Sequence, residues 1–184
     1  MESGKVIVSP LRFQLTLKRL CHQVLENHEN ATDLCIIGIQ DRGVYLADRL
    51  CILLDQMTGS RPFKYGKLDI TFYRDDFRRR DKPLRASTTQ MDFAIEGKKV
   101  LLVDDVLYTG RTVHAAITTL QDYGRPASIE LLCMVDRRFN RHFPIRSDYT
   151  GIAVDALDQA YVRVRFNQTD GTDAILLFSG KQNM

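Results

Sequence analysis

Between Val100 and Thr112 the chain reads VLLVDDVLYTGRT: four aliphatic residues, two adjacent aspartates, a short apolar hinge and a Thr-Gly-Arg-Thr turn. Four aliphatic residues in a row suit a strand covered on both faces, whereas carboxylates are almost never fully buried without partners. The stretch therefore reads as a buried strand, Val100 to Asp104, that delivers charge to the edge of a sheet. The chain then turns through Val106 to Gly110 and starts a new helix.

The flanking sequence says what kind of sheet this is. Ser9-Pro10 makes a good helix start, and Phe13, Leu17, Leu20, Val24 and Leu25 follow at helical spacing. DLCIIGI, Asp33 to Ile39, is a short buried-strand pattern leading into the polar turn QDRG. Helical spacing returns from Val44 to Met57 and Gly59 ends it. KLDITFY, Lys67 to Tyr73, is rich in the residues that favour a pleated surface. Val113, Ala116, Ile117 and Leu120 form a helix face closed by Gly124, and Ile129 to Val135 is another buried strand. Strands alternating with helices predict an α/β fold with a mostly parallel, twisted sheet flanked by helices. The end of the chain differs: Tyr161 to Phe166 and Ala174 to Phe178 flank NQTDGTD and predict a C-terminal antiparallel β-hairpin.

In a parallel α/β sheet the ligand crevice lies beyond the carboxyl ends of the strands, where Asp104 and Asp105 fall. The helix that follows offers free backbone N–H groups and the positive end of its dipole, which suit a phosphate. Thr109 and Thr112 add hydroxyls, and Gly110 lets the backbone come close. A ligand carrying both hydroxyls and a phosphate, such as a ribose 5-phosphate, satisfies both groups. The plainer reading of DD or TG alone is a strand end and a helix cap; the thirteen-residue string argues for the ligand.

Size and charge are compatible with this. A chain of 184 residues with 44% hydrophobic content fits one domain spanning 1–184. The net charge of +3 is too small to point to nucleic acid but suits an anionic ligand. Cys21, Cys35, Cys51 and Cys133 form no CxxC pair and sit in apolar runs, which predicts reduced thiols and a cytoplasmic protein. No apolar stretch approaches the roughly 20 residues that span a bilayer, so no membrane partner is expected.

VLLVDDVLYTGRT closely resembles the phosphoribosyl pyrophosphate (PRPP) signature of type I phosphoribosyltransferases. With GIQDRGVYLADRL (38–50), DITFYRDD (69–76) and VDRRFNRHFPIRSDYTG (135–151), the chain resembles the bacterial pyrimidine-operon attenuator proteins that are also uracil phosphoribosyltransferases. The resemblance implies that Asp104 and Asp105 hold the ribose hydroxyls, directly or through water on Mg2+, and that Val106, Leu107, Tyr108, Thr109, Gly110, Arg111 and Thr112 form the 5-phosphate loop. It places Asp41, Arg42 and Gly43 in the Gln40 to Gly43 loop that meets diphosphate, a loop that holds a non-proline cis peptide in several relatives. Tyr73 and Arg74 are assigned to the leaving diphosphate, and Val135, Asp136 and Arg137 to the base. The run RDDFRRRDKPLR, Arg74 to Arg85, carries six basic and three acidic side chains and little to bury. It reads as a solvated loop without ligand, and by resemblance the segment about 74–90 closes over the site.

Purine-salvage relatives usually carry aspartate where this chain has Tyr108, and a phenol offers no base at neutral pH. That favours a pyrimidine, and uracil, PRPP and the nucleotides UMP and UTP are the expected small-molecule partners. The same family implies RNA regulation: a basic face of Lys18, Arg19, His22, Arg141 and Arg146 that binds pyrimidine-operon mRNA. The family pattern is broken there by one extra residue in RRFNRHFPIR, by Asn140 near an expected histidine, and by Ile152 at a common lysine position. A regulator with little catalysis, or transfer to another base, are the competing readings. A homo-oligomer is also expected from the resemblance.

Overall fold

The computed structural model describes residues 4–29, 31–73, 88–156 and 160–180. Along the chain run β1 (Lys5–Val8), α1 (Pro10–Asn27), β2 (Leu34–Ile39), α2 (Arg42–Thr58), β3 (Lys64–Leu68), β4 (Lys99–Leu107), α3 (Arg111–Leu120), β5 (Ser128–Arg138), β6 (Tyr149–Asp155), β7 (Ala160–Arg165), α4 (Asn167–Asp170) and β8 (Ala174–Ser179). Ser9 caps α1, its hydroxyl accepting from Arg12 N at 3.4 Å, and Gly59 ends α2 in the left-handed conformation with φ of 69°.

Five strands in the order β3-β2-β4-β5-β6 pair in parallel throughout, which bears out the expected α/β architecture. Alternate residues of the central strands serve opposite faces. Ile36, Leu101, Val103 and Leu132 pack with α1 and α2, whereas Ile37, Leu102 and Cys133 pack with Val113, Ala116 and Leu120 of α3. The C-terminal hairpin β7–β8 is present and gains a third strand from the amino terminus, giving a small antiparallel sheet in the order β1-β8-β7. Val164, Phe166 and Ile175 fasten this sheet to the α1–α2 side of the core.

Three boundaries differ from expectation. The strand expected over Lys67 to Tyr73 is Lys64–Leu68, because the Asp69 carboxylate accepts from Thr71 N at 2.8 Å and from the Thr71 hydroxyl at 2.5 Å, turning the chain into a short 3-10 segment. Strand β4 does not stop at Asp104 but continues to Leu107, since Val106 and Leu107 pair with Val135 and Asp136 of a β5 that is itself longer than read. Strand β6 was not foreseen. Of the segment expected as a loop over 74–90, residues 74–87, Arg74 among them, lie outside the described residues. Its end is tied to the sheet, where Gln90 exchanges backbone hydrogen bonds with Lys67 at 2.8 and 2.9 Å.

Candidate active site

Because β2, β4 and β5 are parallel neighbours, their carboxyl ends lie side by side at one edge of the sheet. Asp104 and Asp105 are consecutive strand residues, so their side chains leave opposite faces of β4. Asp104 is buried, and its Oδ1 accepts from Asp105 N at 3.0 Å. Asp105 Oδ2 accepts from Arg42 Nε at 3.0 Å. Burial pushes the Asp105 carboxyl above its usual range, and the Arg42 guanidinium opposes that shift without cancelling it.

Arg42 opens α2, directly after the Gln40–Asp41 peptide bond, which is cis. Gly43 lets the start of this helix lie against β4: a Cβ there would come within 2.4 Å of the Val103 carbonyl oxygen. Arg42 also reaches the small sheet. Its Nη2 donates to the Val164 carbonyl and, at 3.3 Å, to Asp170 Oδ2, and its guanidinium carbon lies 5.3 Å from the Phe166 ring centre. Asp170 is pushed upward by burial, but hydrogen bonds from Phe166 N, the Thr169 hydroxyl and Arg42 outweigh this and hold it below the ordinary carboxylate range.

The loop from Tyr108 to Gly110 is shaped by its own backbone and by the segment after β5. Gly110 has φ of 86° and precedes α3, at whose first turn His114 N donates to the Gly110 carbonyl at 2.9 Å. The Thr109 carbonyl accepts from His142 N at 2.9 Å and Phe143 N at 3.3 Å. Phe143 in turn stacks on His114 with ring centres 4.3 Å apart. These bonds fix the loop at the start of α3, where Arg111 N donates to the Thr109 hydroxyl at 3.4 Å; a helix start of this kind suits an anion. The pairing Val106–Val135 and Leu107–Asp136 sets the end of β5 next to this loop, and the Arg137 guanidinium covers the Tyr108 ring at 3.7 Å.

Two carboxylates on one strand end, a glycine-led cradle at a helix start and cationic groups between them suit a phosphorylated ribose. The phosphoribosyl transferase domain model matches residues 10–166. Curated proteins named bifunctional protein PyrR match nearly end to end: that of Deinococcus radiodurans is 42% identical over 172 residues, covering 94% of this chain and 93% of its own. The PyrR of Chloroflexus aurantiacus is 40% identical over 183 residues, covering 100% of each chain. The chain belongs to the PyrR family of phosphoribosyltransferases. Among solved structures, the hypoxanthine phosphoribosyltransferase of Trypanosoma cruzi superposes with a TM-score of 0.70 at 17% identity, covering 97% of this chain and 98% of its own. A hypoxanthine-guanine phosphoribosyltransferase from Bacillus anthracis gives 0.71 at 16%, covering 96% and 98%. These likenesses show the fold.

For this PyrR-family chain, the structure brings together Asp41, Arg42, Gly43, Asp104, Asp105, the Val106 to Thr112 stretch and Val135 to Arg137. Tyr73 is placed elsewhere, its hydroxyl donating to Asp122 beyond α3. Of the expected basic face, Lys18, Arg19 and His22 are all exposed on α1, with Arg19 also donating to the Gly151 carbonyl at 2.6 Å and to Gln23 at 3.1 Å. Arg146 is exposed, while Arg141 turns inward, donating to the Tyr108 carbonyl and, at 2.5 Å, to Asp136 Oδ1. Phe166 and Asp170 were missed: the turn NQTDGTD reads as an ordinary polar hairpin loop, and nothing local marks it as the partner of Arg42.

Proposed function

We propose that this chain transfers the phosphoribosyl group of PRPP to uracil, forming UMP and diphosphate. The observation that carries the reading is the β4–β5 pairing, which sets Val135, Asp136 and Arg137 against the strand end that leads from Asp105 into the Tyr108 to Thr112 cradle. In the transfer, the bond from ribose C1 to the diphosphate oxygen breaks, uracil N1 bonds to C1, and the N1 proton is lost. Positive charge grows on the sugar and negative charge on the leaving group, so fixed charges dominate. Asp104 and Asp105 hold the ribose hydroxyls, the start of α3 holds the 5-phosphate, and Arg42 lies beside the loop that receives diphosphate. Mg2+ arrives with PRPP. Carboxylates, phosphate oxygens and water are its preferred ligands, and among the described residues no cluster of three or more His, Cys, Asp or Glu side chains offers it a cage of its own. Tyr108, pinned under Arg137, presents an aromatic ring where purine enzymes place a base.

PRPP and Mg2+ are offered with uracil, orotate, hypoxanthine and guanine in parallel. Uracil is expected to turn over fastest; faster transfer to hypoxanthine or orotate overturns the reading.

The relatives are called bifunctional, and a second activity is proposed on that ground: binding of pyrimidine-operon mRNA, responsive to UMP or UTP, through Lys18, Arg19, His22 and Arg146. Leader RNA is expected to shift in a gel at lower protein concentration than shuffled RNA, more so with UMP; equal shifts unaffected by nucleotide refute it. Cys21, Cys35, Cys51 and Cys133 are all free and buried, which suits a reduced, cytoplasmic setting, and burial pushes the Cys21, Cys51 and Cys133 thiols up to about 12, which keeps them unreactive. Exposed Leu11, Leu15 and Ile52 on α1 and α2 suit a homo-oligomer.

A further inference from the structure

Arg141 lies four residues beyond Arg137, in the part of the chain that departs from the family pattern, and the structure turns it away from the α1 face. Its Nη2 donates to Asp136 Oδ1 at 2.5 Å and its Nη1 to the Tyr108 carbonyl. Asp136 stands at the base end of β5; Tyr108 is the first residue after β4, where the phosphate cradle begins. One planar guanidinium therefore joins the two half-sites, and it does so largely out of solvent, with the Arg141 side chain 23% exposed and that of Asp136 19%. The turn that brings Arg141 back is specific: Phe139 and Asn140 both have positive φ, 73° and 57°, and Asn140 Nδ2 lies 3.4 Å from the Tyr108 hydroxyl. The residues just after Arg141 continue the same work, with His142 N and Phe143 N holding the Thr109 carbonyl.

We propose that Arg141 is a positioning residue for the transfer reaction: by tying Asp136 to the main chain of Tyr108, it fixes the spacing between the base site and the ribose-phosphate site. This rests on the uracil-transfer reading for the identity of the base, but not for the existence of the bridge. Asp136 and the Tyr108 carbonyl are acceptors at different sites, and a guanidinium reaches both because its donors are spread over a rigid fork; a lysine ammonium is a single point charge. Misplacement of reacting groups by about 1 Å costs on the order of 100-fold in rate while each half-ligand still finds its own contacts. The loss therefore falls on kcat.

Arg141→Gln, Arg141→Lys and Arg141→Ala are compared with the unmodified chain in uracil transfer. Expected are a fall in kcat on the order of 10- to 100-fold for Gln, KM for PRPP changed less than about threefold, incomplete recovery in Lys, and partial restoration of the Ala variant by added guanidinium. Thermal unfolding midpoints report whether each variant is folded; if Ala does not fold, Lys against Gln carries the test. Uracil transfer by Arg141→Gln at the unmodified rate overturns the proposal, and a drop in leader-RNA affinity in that same variant would return Arg141 to an RNA face. If the unmodified chain prefers another base, the uracil reading fails on its own, and the same variants are read with the preferred base, where an unchanged kcat again overturns the bridge.

Discussion

Strands β2, β4 and β5 hold their places through side chains buried on both faces, Ile36, Leu101 and Leu132 on one and Ile37, Leu102 and Cys133 on the other. The small antiparallel sheet has one face in that core, through Val164, Phe166 and Ile175, and its turn is fastened to α2 by two ion pairs, Arg42–Asp170 at 3.3 Å and Arg49–Asp173 at 2.5 Å. Apolar burial is non-directional, so the parallel sheet fixes where the backbone of Asp104 and Asp105 lies. The charged fasteners are directional and fix how the arms around it are aimed. Because Arg42 holds Asp105 with one donor and the small sheet with others, the turn between β7 and β8 is linked to Asp105 although it belongs to the other sheet.

The largest expected effect lies on the parallel side. Asp104→Asn together with Asp105→Asn should lower kcat/KM for uracil transfer on the order of 10³-fold or more, with the unfolding midpoint close to that of the unmodified chain. Removing ionised Asp105 relieves a buried charge, so no loss of fold is required to explain lost activity. Near-normal kcat/KM in the double variant would reduce the pair to a strand end.

The contrast between the two sheets also separates what the sequence discloses from what it does not. LCIIGI and VLLVDD reveal β2 and β4 because a strand covered on both faces is apolar at every position, a signal carried by consecutive residues. Ser9 and Gly59 reveal the helix ends for the same local reason. Strand β3 was misplaced because its own residues, KYGKL, are half polar, while the better-looking DITFY is turned by the Asp69 carboxylate. Strand β6, YTGIAVD, is an edge strand whose apolar residues are broken by Thr150 and Gly151, and Gly151 is there for close approach, a Cβ meeting the Met134 carbonyl oxygen at 2.3 Å. Strand β1 is four residues whose partner, β8, lies about 170 residues later, as in Lys5 against Leu177. At the site, Asp104, Asp105 and the Thr109–Gly110 turn were legible as one continuous string. Arg42–Asp170 and Arg141–Asp136 were not, since which arginine meets which carboxylate depends on how distant segments fold together.

On the antiparallel side, Phe166→Ala should cost about 3–5 kcal/mol in urea unfolding. The ring is fully buried between Phe13 and Tyr45, with ring centres 6.0 and 5.8 Å away, and it lies under Arg42. If the small sheet were only loosely attached, the midpoint would barely move; the expected loss makes it part of one cooperative core.

A pH profile sharpens the link between the two sheets. On the proposed role it is ionised Asp105 that holds the ribose, and burial sets its carboxyl above the ordinary 3.8, so the acid limb of kcat/KM should fall at a pH above that value. Arg42 favours the ionised form, and Arg42→Met should move the limb to still higher pH. Stability runs the opposite way. A carboxyl whose folded value is raised contributes stability below its unfolded value and loses it as pH rises through the folded one. Asp105→Asn should therefore remove that loss, measured as a flatter dependence of the unfolding midpoint on pH through this range. An acid limb unmoved by Arg42→Met would cut the proposed connection.

The smallest effect is expected at Arg163, which shares Asp170 with Arg42 but from the solvent side. Its Nη2 meets Asp170 Oδ1 at 3.0 Å, and the Arg163 side chain is 49% exposed. Arg42, Phe166 N and Thr169 all use the other oxygen, Oδ2. Arg163→Ala thus removes a screened surface pair while leaving the inward network whole, and about 0.2–1 kcal/mol of stability with unchanged kcat/KM should follow. Asp170→Asn, by contrast, weakens every donor that converges on Oδ2 and should lower kcat/KM through Arg42, whose hold on Asp105 is then shared with one weaker acceptor. Measured side by side, equal losses of activity in the two variants would mean that Asp170 acts on the site no more than any surface carboxylate, and that the turn between β7 and β8 is a closure of the fold alone.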